Sequence, residues 1–234
     1  MSTSTEGIVL RTIRYSENQL IVHLLTEEFG RFPAIVRRNR KKGSSNYFQP
    51  LFHLSVEVNF FSQRTMQRIQ QLRFAHPYTD IPFSVQKSTI AQFLAEILSK
   101  VVPDQQPDKE FFSFLSNAFQ LFDAEKENPQ NFHLLFLLHL TRFLGIYPSK
   151  KTENQAWFSP SEGTFVPQIM HDTIPEELNT SFNQLLHTPL SGFHQLQLDR
   201  MTNQALLNQI LEYYYIQLNM SKLKTYEILR QVFN

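Results

Sequence analysis

The chain has 234 residues, with 22 Phe, 6 Gly and no Cys. That length suits one large domain or two small ones and buries a core without disulfides; the missing cysteine excludes disulfide scaffolds, thiolate zinc sites, Cys nucleophiles and thiol redox chemistry, and fits a reducing compartment. The net charge of +1 hides an asymmetry, because residues 1–80 carry 11 Lys+Arg against 6 Asp+Glu while residues 81–234 carry 11 against 15, a pattern expected of two units with different partners.

In chain order, Glu6–Arg14 is a β-branched-rich run that reads as a strand, and Tyr15-Ser16-Glu17-Asn18 is a turn cluster. Gln19–Thr26 follows with Leu20, Val22 and Leu24 on one face. Gly30 marks a tight connection. Arg31–Arg37 then puts Phe32, Ala34 and Val36 on one face and Arg31, Ile35 and Arg37 on the other, with Pro33 suggesting an edge or a bulge. Phe52–Phe60 alternates strictly, apolar on even positions and polar on odd ones, which predicts a half-buried strand. Its polar face, His53, Glu57 and Asn59, reads as solvent surface and receives no role. Met66–Leu72 is a weaker fifth strand.

Five short strands must close or cover their edges. A small five-stranded barrel does so, with the oligonucleotide-binding (OB) fold as the first choice and an SH3-like barrel as the competitor.

After Pro82 the period changes. Ile90, Phe93, Leu94, Ile97, Leu98 and Val101 fall at helical spacing. Phe111, Phe112, Leu115, Phe119 and Phe122 mark a second helix. Phe132–Leu144 is apolar nearly all round and predicts a buried central helix closed by Gly145 and Pro148. Residues 149–170 read as a loop or small ribbon. Pro175–Leu186, the stretch from Leu206 to Leu218, and Ser221–Leu229 complete the helices. The expected class is α+β: an N-terminal five-stranded OB-type β-barrel over residues 1–76, then a mostly α-helical domain over 77–234. No run approaches the roughly 18 uncharged apolar residues of a membrane span. The first residues lack a basic and apolar leader, so a cytoplasmic protein is expected.

Catalytic chemistry is not legible. The chain has no phosphate-binding glycine loop, no nucleophile elbow and no His-Glu-x-x-His. His133 and His139 do not share a helix face and read as core residues. Glu125, Glu127, Glu176 and Glu177 sit at helix ends, where a helix dipole accounts for the last two. The reading is no enzyme, no metal and no cofactor; a small enzyme with its site in the acid-rich half is the weaker alternative.

One constellation stands out. Arg37, Arg38, Arg40, Lys41 and Lys42 put five positive charges in six residues, between the third strand and Pro50. Charges this dense repel one another unless solvated or matched by an anion. Tyr47 and Phe48 follow, and Arg11, Arg14, Arg31, Arg64 and Arg68 lie on or beside the neighbouring strands. Basic residues track phosphates and aromatic rings stack bases, so nucleic acid is the expected ligand. Tyr47 and Phe48 are open between stacking bases and packing on the barrel. A second feature is Ser221-Lys222-Leu223-Lys224, with Ser221 as a helix N-cap. It is a possible anion site, weighed against ordinary exposed lysines.

In Glu6-Gly7-Ile8-Val9-Leu10-Arg11, Tyr15–Asn18, Leu24–Gly30, the basic loop, Gln49-Pro50-Leu51, Phe143–Pro148 and Leu223-Lys224-Thr225, the sequence resembles the RecO family of DNA repair and recombination mediators. The resemblance implies an OB fold, a helical domain and a non-enzymatic role in recombinational repair. It implies binding of single- and double-stranded DNA and annealing of complementary strands. Action with RecR, and often RecF, would load RecA onto DNA coated by single-strand binding protein (SSB), whose C-terminal tail would be a further partner. Such a protein would be cytoplasmic and nucleoid-associated when on DNA. The resemblance assigns DNA contact to Arg37, Arg38, Arg40, Lys41 and Lys42. An RNA-binding or translation-associated OB module is the alternative. Many family members carry a four-cysteine zinc site where this chain has Ser149–Pro167 and no Cys. The usual zinc is therefore excluded, and Trp157, Phe158 and Phe165 are expected to supply a small apolar core instead.

Overall fold

The computed structural model describes residues 2–37, 47–149 and 156–233. It divides into two compact units, Met1–Ala124 and Glu125–Asn234. In the first unit, strands β1 (Thr3–Arg14), β2 (Gln19–Thr26), β3 (Gly30–Arg37), β4 (His53–Val58) and β5 (Gln67–His76) close into a barrel. Its order is β1-β2-β3-β5-β4, and β3 pairs with β5 in parallel while the other neighbours are antiparallel. This is the OB-type barrel expected, and closure leaves no long free edge.

The period-2 pattern decides what faces inward. Val9, Leu20, Val22, Leu24, Val36, Leu54 and Val56 fill the interior with Phe48 and Phe52. Phe32, Ala34 and Val58 fill the other end, against Phe29 and Phe60. Each such side chain contributes about 1.5–3 kcal/mol by leaving water. Gly30 makes the β2–β3 turn at φ +66°, and an added Cβ would stand 2.6 Å from the Gln106 backbone, so only glycine fits there.

The amphipathic helices α1 (Val85–Val101) and α2 (Lys109–Ala124) belong to this same unit. The change of period near Pro82 does mark the end of the barrel, but the compact unit runs on to Ala124. The physical reason lies in contacts between distant residues. Arg31 Nε donates to Asp104 at 2.6 Å and Arg31 Nη1 to the Ser99 carbonyl at 2.5 Å. Lys109 pairs with Glu28 at 2.6 Å. The Asp123 carboxylate accepts from the backbone N–H groups of Thr79, Asp80 and Ile81 at 2.7–2.9 Å and from the Thr79 hydroxyl at 3.1 Å. It thereby ties the chain leaving β5 to the end of α2. Packing of α2 also buries His53 on the outer face of β4, with Phe112 edge-on to its ring. The expectation of a bare polar face fails at that position.

In the second unit, α3 (Phe132–Phe143) is buried on nearly every side, as its composition predicts. His133 is wholly buried, and burial pushes its pKa down to about 3. His139 meets the Thr188 carbonyl at 3.1 Å. Residues 156–166 form a ribbon of β6 (Trp157–Ser159) and β7 (Thr164–Val166). Phe158 and Phe165 are buried there, and Phe158 packs on Phe182 at 4.6 Å and on Tyr213 at 5.5 Å between ring centroids. Trp157 is only partly buried, so the apolar core rests on the two Phe residues rather than on all three aromatics. Aromatic packing, with no thiolate in the chain, leaves the four-cysteine zinc no ligands in this ribbon. The helices α4 (Glu176–His187), α5 (Arg200–Leu218) and α6 (Thr225–Val232) complete the unit.

Candidate nucleic-acid interface

The outer face of β1, β2 and β3 carries the side chains that the interior rejects. Ladder register aligns Ile13 with Ile21, Ile21 with Ile35, and Ile35 with Arg68 across four strands. A neighbouring row runs Arg11, His23, Pro33, and Arg37 stands opposite Gln19 at the end of β3. The three Ile residues are partly exposed; Arg11, Arg37 and Arg68 are exposed. The result is an apolar strip bordered by guanidinium groups. His23 reports the field there: burial lowers its pKa first, and the positive charges of Arg31 and Arg11 lower it further.

Exposed aromatic rings lie in both flanking loops. Tyr15, in the β1–β2 turn, is 58% exposed, and Phe61, in the β4–β5 loop, is 46% exposed. The latter loop is clamped from inside. Buried Gln67 accepts from Phe61 N–H at 3.1 Å and donates to the Phe61 and Arg64 carbonyls at 2.9 and 3.2 Å. That clamp holds the Arg64 guanidinium 4.1 Å from the Phe61 ring centroid, a cation–π pair at the surface. In OB folds the β2–β3 face and these two loops are the usual oligonucleotide site.

The sequence-predicted residues meet this surface unequally. Arg11 and Arg37 share the outer face. Arg14 ends β1 opposite the inward-facing Leu20, so it is exposed at the rim rather than on the face. Arg31 shares the outward parity, but its side chain is only 17% exposed and is held by Asp104 and Ser99; it works in attaching α1. Arg38, Arg40, Lys41 and Lys42 lie outside the described residues. The two flanks of that segment are fixed at the barrel: Arg37 closes the β2–β3 ladder, and the Phe48 carbonyl accepts from the Thr12 hydroxyl at 2.8 Å. The two aromatics that follow the segment pack inward. Phe48 is buried in the core, and Tyr47 stacks on Phe74 at 4.5 Å.

The expected anion site is not built as the sequence suggests. α5 ends at Asn219 in the left-handed region, φ 48°, and α6 begins only at Thr225. Ser221 and Lys222 therefore precede the helix, Ser221 does not cap it, and Lys224 takes the cap position. Leu223, buried between them, anchors a non-helical connection. The Ile13–Ile21–Ile35 strip and the Phe61–Arg64 pair escaped the sequence reading. The outward parity of Ile35 beside Arg37 was the available signal for the strip.

Chemically, exposed guanidinium groups suit phosphate contact and exposed rings suit base stacking. The acidic residues that the sequence singles out are committed to structure. Glu125 accepts from the backbone N–H of Glu127 at 2.8 Å, and Glu176 and Glu177 occupy the first turn of α4.

A family profile described as "Recombination protein O N terminal" matches residues 1–78, and one described as "Recombination protein O C terminal" matches residues 82–227. DNA repair protein RecO of Azobacteroides pseudotrichonymphae is 32% identical over 241 residues, covering 100% of each chain. Proteins of the same name from Flavobacterium psychrophilum and Bacteroides fragilis are each 31% identical, again over 100% of both chains. Among the described residues no helix is long and apolar enough to cross a membrane. Matched in both halves and related along its whole length to proteins of that name, the chain belongs to the RecO family of DNA repair and recombination proteins.

Proposed function

We propose that this protein is a non-enzymatic recombination mediator whose barrel binds single- and double-stranded DNA and anneals complementary strands. The observation that carries the proposal is the strip of Ile13, Ile21 and Ile35 bordered by Arg11, Arg37 and Arg68. Annealing requires that two polyanions be screened while their bases stay free to pair. A cationic face does this through phosphate contacts, which carry affinity but no sequence information. In the sequence, Arg38, Arg40, Lys41 and Lys42 follow Arg37 directly and are proposed to contact DNA with it. Residues 1–76 are proposed as the DNA-binding domain and 77–234 as the helical domain. The net negative charge of residues 81–234 disfavours DNA there and leaves that part for proteins. RecR, in some settings RecF, and the C-terminal tail of SSB are the proposed partners. RecA loading onto SSB-coated DNA is the proposed outcome, in the cytoplasm at the nucleoid.

Oligo(dT) affinity measured against salt tests the interface. Each phosphate neutralised on a single strand contributes about −0.7 to the slope of log K against log salt. Replacing Arg11, Arg37 and Arg68 together by Ala should make the slope shallower by about 2. A slope unchanged in the folded triple variant, or wild-type preference for structured RNA over DNA, contradicts the proposal.

A further inference from the structure

The outer face of β1, β4 and β5 presents a different cluster from the DNA face. In the ladders His53 stands opposite His76 on one side and opposite Ile8 on the other. Glu6 lies two residues before Ile8, so it shares the outward parity and flanks His53 diagonally. Side-chain positions follow: one ligating atom each from Glu6, His53 and His76 lie within 4.8 Å of one another. Glu6 Oε2 is 2.9 Å from His53 Nε2, and the two imidazole rings are 4.8 Å apart at their centroids.

The buried member is the informative one. The His53 side chain has no solvent exposure, yet its Nε2 has no aligned hydrogen-bond partner. The contact to Glu6 is close but off the hydrogen-bonding line. A buried ring nitrogen held this way is one that a cation shared with the carboxylate would satisfy. The other nitrogen, Nδ1, faces Ser116 Oγ on α2 at 3.5 Å. Phe112 fixes the ring plane from the side. His53 is thus oriented from behind, with Nε2 aimed at a carboxylate and a second imidazole, both on partly exposed side chains.

We propose that Glu6, His53 and His76 form a divalent transition-metal site, with Zn²⁺ the cation its chemistry suits best. Two imidazole nitrogens and one carboxylate oxygen are a recurrent zinc donor set, completed by water in a tetrahedron. Zn–ligand distances of about 2.0–2.2 Å place ligand atoms roughly 3.3–3.6 Å apart. Small rotations of Glu6 and His76 bring the cluster to that spacing. Imidazoles disfavour Mg²⁺ and Ca²⁺, which take oxygen ligands. Ser116 is the outer partner that holds a ligating imidazole in orientation. The bound ion would pin three strands of the barrel together under α2.

The test uses the full chain, dialysed against EDTA and titrated with ZnCl₂ by calorimetry, with melting temperature read in parallel. One equivalent should bind and raise the melting temperature. Ser116→Ala should weaken binding about 10-fold to 100-fold, as loss of an outer-shell partner does. His76→Ala and Glu6→Gln should weaken it further while leaving the metal-free melting temperature near that of wild type. His171→Ala, which removes an 88% exposed imidazole outside the cluster, should change nothing. No uptake, or uptake that survives both His76→Ala and Glu6→Gln, overturns the site. Should those variants fail to fold, X-ray absorption of the Co²⁺-loaded wild type decides instead. Two imidazoles per metal support the assignment, and one or none overturns it.

Discussion

Asp123 shows how much one side chain does in the amino-terminal unit. Burial alone would raise its pKa, but three backbone N–H donors and the Thr79 hydroxyl hold it below the ordinary carboxylate value of 3.8. Asp123→Asn puts an amide where only an acceptor is served. A loss of about 2 kcal/mol is expected, since hydrogen bonds to charged groups are worth about 1.5–3 kcal/mol. Thermal denaturation should show a drop of several degrees, and an unchanged midpoint would discount the tie between α2 and the chain after β5. His133 makes a pH prediction. Its pKa falls from 6.5 unfolded to about 3 folded because the ring is wholly buried. Between those values the unfolded state binds more protons, so stability is full above about pH 6.5 and is lost as pH falls toward 3. His133→Leu should flatten the decline of melting temperature with acidity across that window. Asp123 acts lower, through loss of stability as pH drops below about 3.8 and through its depressed folded value. His133 is readable as core from its apolar helix, but Asp123 is one acid among many until Thr79–Ile81 are brought to it.

Elements were legible where the pattern is strict. The even-odd alternation of residues 52–60 fixes the inward face of β4, and Gln19–Thr26 is β2 to the residue. β5 runs past the expected end at Leu72 to His76, because Phe74 packs inward on Tyr47 and Phe52 and, after a register shift, His76 pairs with His53. α1 starts at Val85 because the Ser84 hydroxyl accepts from Lys87 N–H, a cap that precedes the apolar periodicity. α6 was misplaced because Ser221 has the chemistry of a cap without the position. Within the second unit, the ribbon gives a graded prediction. Phe158→Ala should cost about 3–5 kcal/mol as a buried Phe truncation. Trp157→Ala should cost much less, because its ring is only partly covered. Equal losses in chemical denaturation would contradict the assignment of that core to Phe158 and Phe165.

For the whole molecule, the charge asymmetry was readable by counting, and the barrel by strand spacing. What could not be read is which basic residues remain available. Arg31 and Arg11 look alike in sequence, yet Asp104 and Ser99 hold the first while the second stays exposed. His53 likewise looks like a surface residue of a polar strand face until α2 covers it. Long-range packing makes both distinctions, and local pattern carries no record of it.

As proposed, basic residues of the amino-terminal 76 residues speed the pairing of complementary strands. The most direct measurement is the annealing rate of two complementary oligonucleotides precoated with the cognate SSB. Wild type would be compared with a variant carrying Ala at Arg37, Arg38, Arg40, Lys41 and Lys42. Fast annealing by wild type, lost in a variant that melts at the same temperature, is the predicted result. Annealing by wild type no faster than without protein, or undiminished in the variant, would contradict it.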